Sequence, residues 1–470
     1  MQHFSLAIIG TGSGNVVVPE DPARGPVALI EATAFGGTCI NRGCIPSKIL
    51  VYSAEMAAQV RHAPEFGIGA TLTAVDWPAI RDRTFAQVDK VSAAGRKGRA
   101  ESDLVTLFEG RARFAGPHEL VIDDDTRITA DQIVVAAGGR PTVPPVIADA
   151  RVPFWTSDTI MRIDELPASM VIVGGGYVAV EFAHIFSALG VEIHLINLAD
   201  TLLEALDSDI SARFTALARQ RWDVRLSASI ASVRRQDRDQ KGRDQKGDRK
   251  GQPSGVAVLL EDGSTVTADL LLVAAGRQPN TDDLGLDLAG VAVKDDGHIQ
   301  VDEYGRTTAE GIWSLGDISS PFELKHVANA EARCLAHNLA HPDDLRPYPH
   351  DWVPAAVFTE PQIATVGARM QDLAGKKPYV QATQDYHDTA YGWALQDTSG
   401  VCRLYADPAT GQLLGAHIMG YQASLLIQPL VQAMSFGLDA ASMARGQYWI
   451  HPALPEVVEN ALLKLPLEPR

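Results

Sequence analysis

Residues 169–197 read SMVIVGGGYVAVEFAHIFSALGVEIHLIN. An apolar run, Val171–Val173, meets Gly174, Gly175 and Gly176. A helical pattern follows from Tyr177 to Leu189, with Val180, Ala183, Ile185, Phe186 and Leu189 apolar, and a second apolar run, Ile193–Ile196, closes the stretch. Strand, glycine turn, helix and strand in this order open a doubly wound dinucleotide-binding sheet. The glycines let the backbone turn tightly and approach a pyrophosphate. The helix N-terminus then offers unpaired N–H groups and the positive end of its dipole. Gly174, Gly176 and Ala179 take the three small-residue positions of the turn.

The pattern occurs a second time, upstream. In FSLAIIGTGSGN (4–15) a strand-like run ends at Gly10, Gly12 and Gly14. Here Asn15 stands where a third small residue is usual, and Pro19 and Pro22 interrupt the expected helix. Glu31 ends the next strand 19 residues after Gly12, a distance at which a carboxylate binds ribose hydroxyls. Two later stretches also match each other: ITADQIVVAAGGRP (128–141) and VTADLLLVAAGRQP (266–279) each run as an apolar strand into Ala-Ala-Gly, at Gly138 and Gly276. GIWSLGDIS (311–319) adds a strand that ends in Gly316-Asp317, where the carboxylate can meet a polyol chain.

The expected architecture is therefore α/β, with two Rossmann-like domains and a third, α+β unit. The first domain takes residues 1–147 and returns at 279–344; the second takes 148–278; the third runs from 345 to 470. In the third unit, VPAAVFTEPQIATVG and GQLLGAHIMG read as strands, SLLIQPLVQAMSFG and PEVVENALL as helices. The rich apolar faces of those helices point to a homodimer interface. Residues 234–253 stand apart: eight bases, four acids and no apolar side chain read as a mobile hairpin extension.

Composition narrows the function. With 41 bases against 58 acids the chain carries −17, which disfavours nucleic acid and anionic membranes. No apolar run reaches the ~18 residues of a membrane helix, and MQHFSLAIIG lacks the features of a secretory leader. A cytoplasmic enzyme is expected, so a close cysteine pair should be redox-active rather than structural.

Such a pair lies in FGGTCINRGCIPSKIL (35–50): Cys39 and Cys44, with four residues between them, and Lys48 one helical turn after Cys44. A lysine cation there stabilises a thiolate. No further Cys or His follows at the spacing of a zinc site, so no metal is expected. Cys334 and Cys402 have no such context and read as inert. At the other end, YWIHPALPEVVENALL (448–463) supplies His451, which titrates near neutrality, and Glu456, a carboxylate that can orient its ring.

These motifs together resemble the pyridine-nucleotide disulfide oxidoreductases of the glutathione reductase and dihydrolipoamide dehydrogenase class. The resemblance covers the chain outside the charged insertion. Within that family GTGSGN, FGGTCINRGCIPSK, TSDTIMRI and LLGAHIMGYQASLLIQPLVQAMSFGL are most like the subgroup that reduces the disulfide of a sugar–inositol thiol. Dihydrolipoamide dehydrogenase is the main alternative, with glutathione-disulfide reductase and a non-catalytic flavin scaffold behind it. No cysteine follows Cys402, so relatives that need a second C-terminal pair are not expected.

The resemblance implies FAD with its pyrophosphate on Gly10, Gly12 and Gly14, its ribose on Glu31 and its ribityl chain near Asp317. Thr38, Ala112 and Gly138 would be backbone neighbours. Cys44 would be the thiolate beside the flavin, Cys39 the exchange thiol that attacks a small-molecule disulfide, and Lys48 a flavin neighbour paired with Glu181. Tyr177 would gate a nicotinamide held by Gly174, Gly176, Ala179, Asn197 and Gly276. His451 and Glu456 would come from the second subunit of a homodimer. Ala179 leans toward NADPH. Yet Asn197 is followed by four acids and no base before Arg213, so both NADPH and NADH are expected to work.

Overall fold

The computed structural model describes residues 1–236 and 255–467. Most of the charged stretch 234–253 lies outside the described residues. Its first three residues end the strand Ile230–Gln236, which pairs antiparallel with Gly255–Leu260.

The first unit is a seven-stranded sheet. Gln2–Ile9 lies at its centre, parallel to Val27–Glu31 on one side and to Thr126–Val135 on the other. Ile312–Ser314 joins Thr126–Val135 in parallel, so the chain returns to complete this sheet after leaving it. The centre is dry: Ala7, Ile8, Ala28, Leu29, Ile133 and Val134 are buried on both faces, as a parallel sheet requires.

The second sheet runs Asp223–Arg225, Glu192–Ile196, Ser169–Val173, Leu270–Val273 and Trp155–Thr156, all parallel. The helix Tyr177–Ala188 packs its apolar face on it through Val180, Ala183 and Phe186. The two matching stretches of sequence diverge here. Residues 126–135 form one strand, but 265–273 break at Asp269 into Thr265–Ala268, in a three-stranded antiparallel sheet, and Leu270–Val273. Asp269 caps the break, accepting from the Ala168 and Ser169 N–H groups.

The chain passes between these units along a two-stranded ribbon, Gly139–Pro141 against Arg277–Pro279. The last unit is an antiparallel sheet in the order Pro354–Val357, Gln362–Gly367, Leu413–Gly420, Val401–Ala406, Val380–Asp385. All eight residues of Leu413–Gly420 are buried, beneath the helices Gln428–Ser435 and Pro455–Leu463. A buried carboxylate fastens this unit to the second: Asp207, 0 % exposed, accepts from the Met370 N–H at 2.8 Å and the Tyr405 hydroxyl at 2.9 Å. Arg369 and Gln371 donate to the Ala205 and Leu206 carbonyls on either side of the joint.

Candidate active site

The cysteine pair sits where two glycines bend the chain against the first glycine turn. Gly36 and Gly37 have φ of +97° and +68°, and a Cβ on Gly37 would lie 2.8 Å from the Gly12 Cα. The Gly36 N–H donates to the Thr11 hydroxyl, tying the two turns together. Cys39 rides the short helix Gly37–Arg42, and Cys44 opens the helix Cys44–His62. Gly43 separates them; a Cβ there would lie 3.0 Å from the Thr38 carbonyl oxygen and 3.2 Å from the Cys39 Cα, so the close return of the chain needs glycine.

The two sulfurs are not equivalent. A hydrogen bond from the Cys39 thiol and the nearby Lys48 ammonium hold the Cys44 thiol down at about 7. The first position of a 19-residue helix adds in the same direction. The same hydrogen bond, with burial, pushes the Cys39 thiol far up. In the dithiol state Cys44 is thus the thiolate and Cys39 its donor. The sign follows: thiolate is lost as pH falls through about 7. Alkylation of the reduced protein by iodoacetamide, followed residue by residue by mass spectrometry, is expected to show a Cys44 rate that rises with a midpoint near 7, and Lys48→Met is expected to move that midpoint upward. An unchanged midpoint would remove Lys48 from the account.

Lys48 is held by two groups that are themselves bonded to each other. Its Nζ lies 2.5 Å from Glu181 Oε2 and 4.6 Å from the centre of the Phe358 ring. The other Glu181 oxygen accepts from the Phe358 N–H at 2.9 Å. The lysine comes from the first unit, the glutamate from the second and the phenylalanine from the third, so the ammonium stands at the junction of all three.

The glycine turns fall into two kinds. Gly10 and Gly174, at φ +105° and +124°, are demanded by the fold: a Cβ would lie 2.3 Å from the Ala136 carbonyl oxygen in one and 2.1 Å from that of Ala274 in the other. Gly14 packs on Ile8 and Ala136. Gly12, Gly138, Gly176 and Gly276 are open. A Cβ on Gly12 would meet nothing nearer than the Gly37 Cα at 3.8 Å, and on the other three nothing within 4 Å. Bare backbone at these four points is what a pyrophosphate or a flat ring needs to lie close, so the residues present fit the two dinucleotides of the sequence reading.

One expectation is corrected. The first glycine turn leads into no α-helix; Gly14–Val17 is a single 3₁₀ turn, followed by another at Pro22–Arg24. With Pro19 and Pro22 in so short a connection an α-helix cannot propagate, and the positive helix end expected at this loop is missing. Other groups hold the turn. Arg99 donates to the Asn15 side chain at 2.8 Å and to its carbonyl at 3.1 Å, which explains an asparagine where a small residue was expected. Glu31 accepts from the backbone and hydroxyl of Thr11 and of Thr33, so it fastens the loop as well as standing where a ribose would bind.

Thr38 lies between the cysteine and glycine turns on the helix Gly37–Arg42, and Ala112 is buried at the start of the strand Ala112–Gly116. Asp317 opens toward the first site from the turn Gly316–Ile318, its carboxyl raised by burial against the pull of Arg277. On the second site Tyr177 begins the helix Tyr177–Ala188 with its ring exposed, and Ala179 is buried beneath it. The Asn197 side chain packs against Gly175 and donates to the Thr201 carbonyl at 2.8 Å.

His451 stands elsewhere. Its Nδ1 lies 2.6 Å from Glu456 Oε1, the imidazole is 72 % exposed, and no hydrogen bond or ion pair joins it to Cys39, Cys44, Lys48 or Glu181 of the same chain. Just before it in sequence Tyr448 and Ile450 expose their apolar side chains, as does Phe436 in the same unit. Of the other cysteines, Cys402 is fully buried and pushed up to about 12 by burial, and the Cys334 thiol donates to the Arg346 carbonyl. Two participants escaped the sequence reading: Phe358 and Arg99. Each acts across units or turns far apart in the chain, and neither sits in a motif.

This geometry meets an independent match: residues 4–332 fit the pyridine nucleotide-disulphide oxidoreductase family, and residues 353–462 fit the dimerisation domain of the same proteins. The chain belongs to that family. It is an oxidoreductase whose cofactors are FAD and NAD(P)H, and it reduces or forms disulfides. Among its relatives, mycothione reductase of Mycobacterium tuberculosis is 48% identical over 99% of this chain and 100% of its own. Dihydrolipoyl dehydrogenase of Chlamydia muridarum is 33% identical over 98% and 97%. Among solved structures, the HOCl-induced flavoprotein disulfide reductase RclA from Escherichia coli superposes with a TM-score of 0.85 at 26% identity, covering 98% and 99%. Among the described residues no helix is long and apolar enough to cross a membrane.

Proposed function

We propose that this chain is a cytoplasmic homodimer that reduces mycothione to mycothiol. The observation that carries the chemistry is the Cys39–Cys44 pair returned on itself at Gly43, with the Lys48 ammonium on the side of Cys44 and lowering its thiol. The full-length 48% identity to a mycothione reductase supports the substrate. FAD, when bound, supplies two-electron exchange between the nicotinamide and this pair. The first glycine turn, Glu31 and Asp317 would hold it; Gly174, Gly176, Tyr177, Asn197 and Gly276 would hold the nicotinamide dinucleotide.

The chain's own chemistry is then a disulfide exchange. Cys39, its proton taken by the imidazole of His451, attacks one sulfur of the substrate disulfide; the substrate S–S bond breaks and a mixed disulfide forms. The departing thiolate takes a proton from the imidazolium of His451, which Glu456 keeps in position. The Cys44 thiolate attacks Cys39, the Cys39–Cys44 bond forms as the mixed disulfide breaks, and the second substrate sulfur leaves as a thiolate that takes its proton from water. Two substrate thiols are made and two cysteine thiols become one disulfide. His451 reaches this step from the partner subunit: within one chain it faces solvent amid exposed apolar residues.

An assay of mycothione, glutathione disulfide and lipoamide, each with NADPH and NADH, tests the substrate and the nicotinamide together. Mycothione is expected to be preferred, and dihydrolipoamide oxidation faster than mycothione reduction would overturn the assignment. Both nicotinamides are expected to work. The Asn197 amide is spent on its own loop, and Arg225, on the neighbouring strand, is engaged by Asp223. Without an arginine pairing the 2′-phosphate, about 1–3 kcal/mol of binding is forgone. An NADPH preference above about a hundredfold would mean that a cation from elsewhere reaches the ribose.

A further inference from the structure

We propose that Lys325 is the cation that holds the FAD pyrophosphate on the first glycine turn, in place of the helix end this chain lacks. Lys325 begins the helix Lys325–Ala340, which packs against the 3₁₀ turn Gly14–Val17. Its Nζ donates to the Ser13 hydroxyl at 2.9 Å, and Ser13, between Gly12 and Gly14, is buried. That hydroxyl donates in turn to the Asn329 side chain at 3.0 Å, four residues along the same helix face.

The ammonium is half-buried, and burial lowers its affinity for a proton. Among the described residues no carboxylate lies within ion-pair distance of it. Asp317 and the two thiols act on it only at longer range. A partly desolvated cation whose near partner is a neutral hydroxyl is costly unless an anion completes the site. The family's cofactor brings an anion of two phosphates to this loop. Elsewhere a long helix N-terminus meets that charge; here a single 3₁₀ turn follows the glycines. Lys325 restores the missing positive charge from a helix more than 300 residues away in sequence. Its role is cofactor positioning, distinct from that of Lys48, whose ammonium is paired with Glu181 and acts on Cys44.

The test uses the holoenzyme. Lys325→Met is expected to speed loss of FAD on dilution by about 10- to 100-fold and to shift a ³¹P resonance of the bound pyrophosphate. Lys325→Arg is expected to retain most of the flavin. Release from the wild type should quicken with ionic strength, and release from Lys325→Met should respond less. Should Lys325→Met fail to accumulate, Lys325→Gln keeps a donor without the charge, and the wild-type salt response is read against Lys325→Arg. Wild-type ³¹P shifts and release in the neutral variants would overturn the proposal. So would unchanged ³¹P shifts combined with a displaced Cys44 alkylation midpoint, because the ammonium would then serve the thiolate.

Discussion

Replacing Cys39 by serine is expected to lower disulfide reduction at least about a thousandfold, and replacing Cys44 to do the same. Neither loss can be made good within the chain. Cys402 is fully buried, and the Cys334 thiol is bonded to a carbonyl well away from the pair. Bleaching of the flavin by NADPH should persist in both variants, since it does not pass through sulfur. The two should differ in the thiol that remains. In Cys39→Ser, Cys44 keeps Lys48 and the helix end, and should alkylate from near neutral pH upward. In Cys44→Ser, Cys39 keeps only the longer-range pull of Lys325 against its burial and should react only in alkaline solution. Mass-spectrometric alkylation profiles of the two variants decide this. The opposite order of reactivity would reverse the roles of the two cysteines.

His451→Ala is expected to cost about 10²- to 10⁴-fold in turnover, the usual contribution of a positioned acid–base group. The more telling result is what mixing does. Subunits carrying Cys39→Ser and subunits carrying His451→Ala are each inactive alone. In a heterodimer one site combines an intact dithiol with an intact imidazole, so random exchange should recover about a quarter of the wild-type sites. The exposed ring of His451 and the exposed apolar side chains of Phe436, Tyr448 and Ile450 in the same unit motivate the expectation. No recovery after subunit exchange has been verified by mass would place His451 within its own chain's site.

The local elements were legible in the sequence because each carries its own periodicity and glycine punctuation. Residues 169–197 fold as read, from the strand Ser169–Val173 through the helix Tyr177–Ala188 to Glu192–Ile196. The first glycine turn was read correctly as a turn and wrongly as the start of a helix, although Pro19 and Pro22 already argued against one. What could not be read is whatever depends on distant parts of the chain meeting. Arg99 explains Asn15 only once the helix Trp77–Ala100 is seen beside the turn. Phe358 enters the lysine's surroundings through a backbone N–H and a ring face, neither of which has a sequence signature. The break at Asp269 was hidden because both halves of VTADLLLV are equally strand-like, and the choice of sheet is made by neighbours rather than by propensity.

The joint at Asp207 bears on how the nicotinamide gets in. A carboxylate that is 0 % exposed and holds both the Met370 N–H and the Tyr405 hydroxyl cannot release either without stranding a charge. Each unmade bond there would cost about 1–3 kcal/mol, and the Arg369 and Gln371 bonds to the Ala205 and Leu206 carbonyls would have to open with it. The second unit is therefore bolted to the third, and admission by swinging one domain off another is energetically closed. The Tyr177 side chain, at the head of its helix and partly exposed, is outside this joint. On the role proposed for Tyr177, nicotinamide admission would be a side-chain rotamer change, faster than a domain motion.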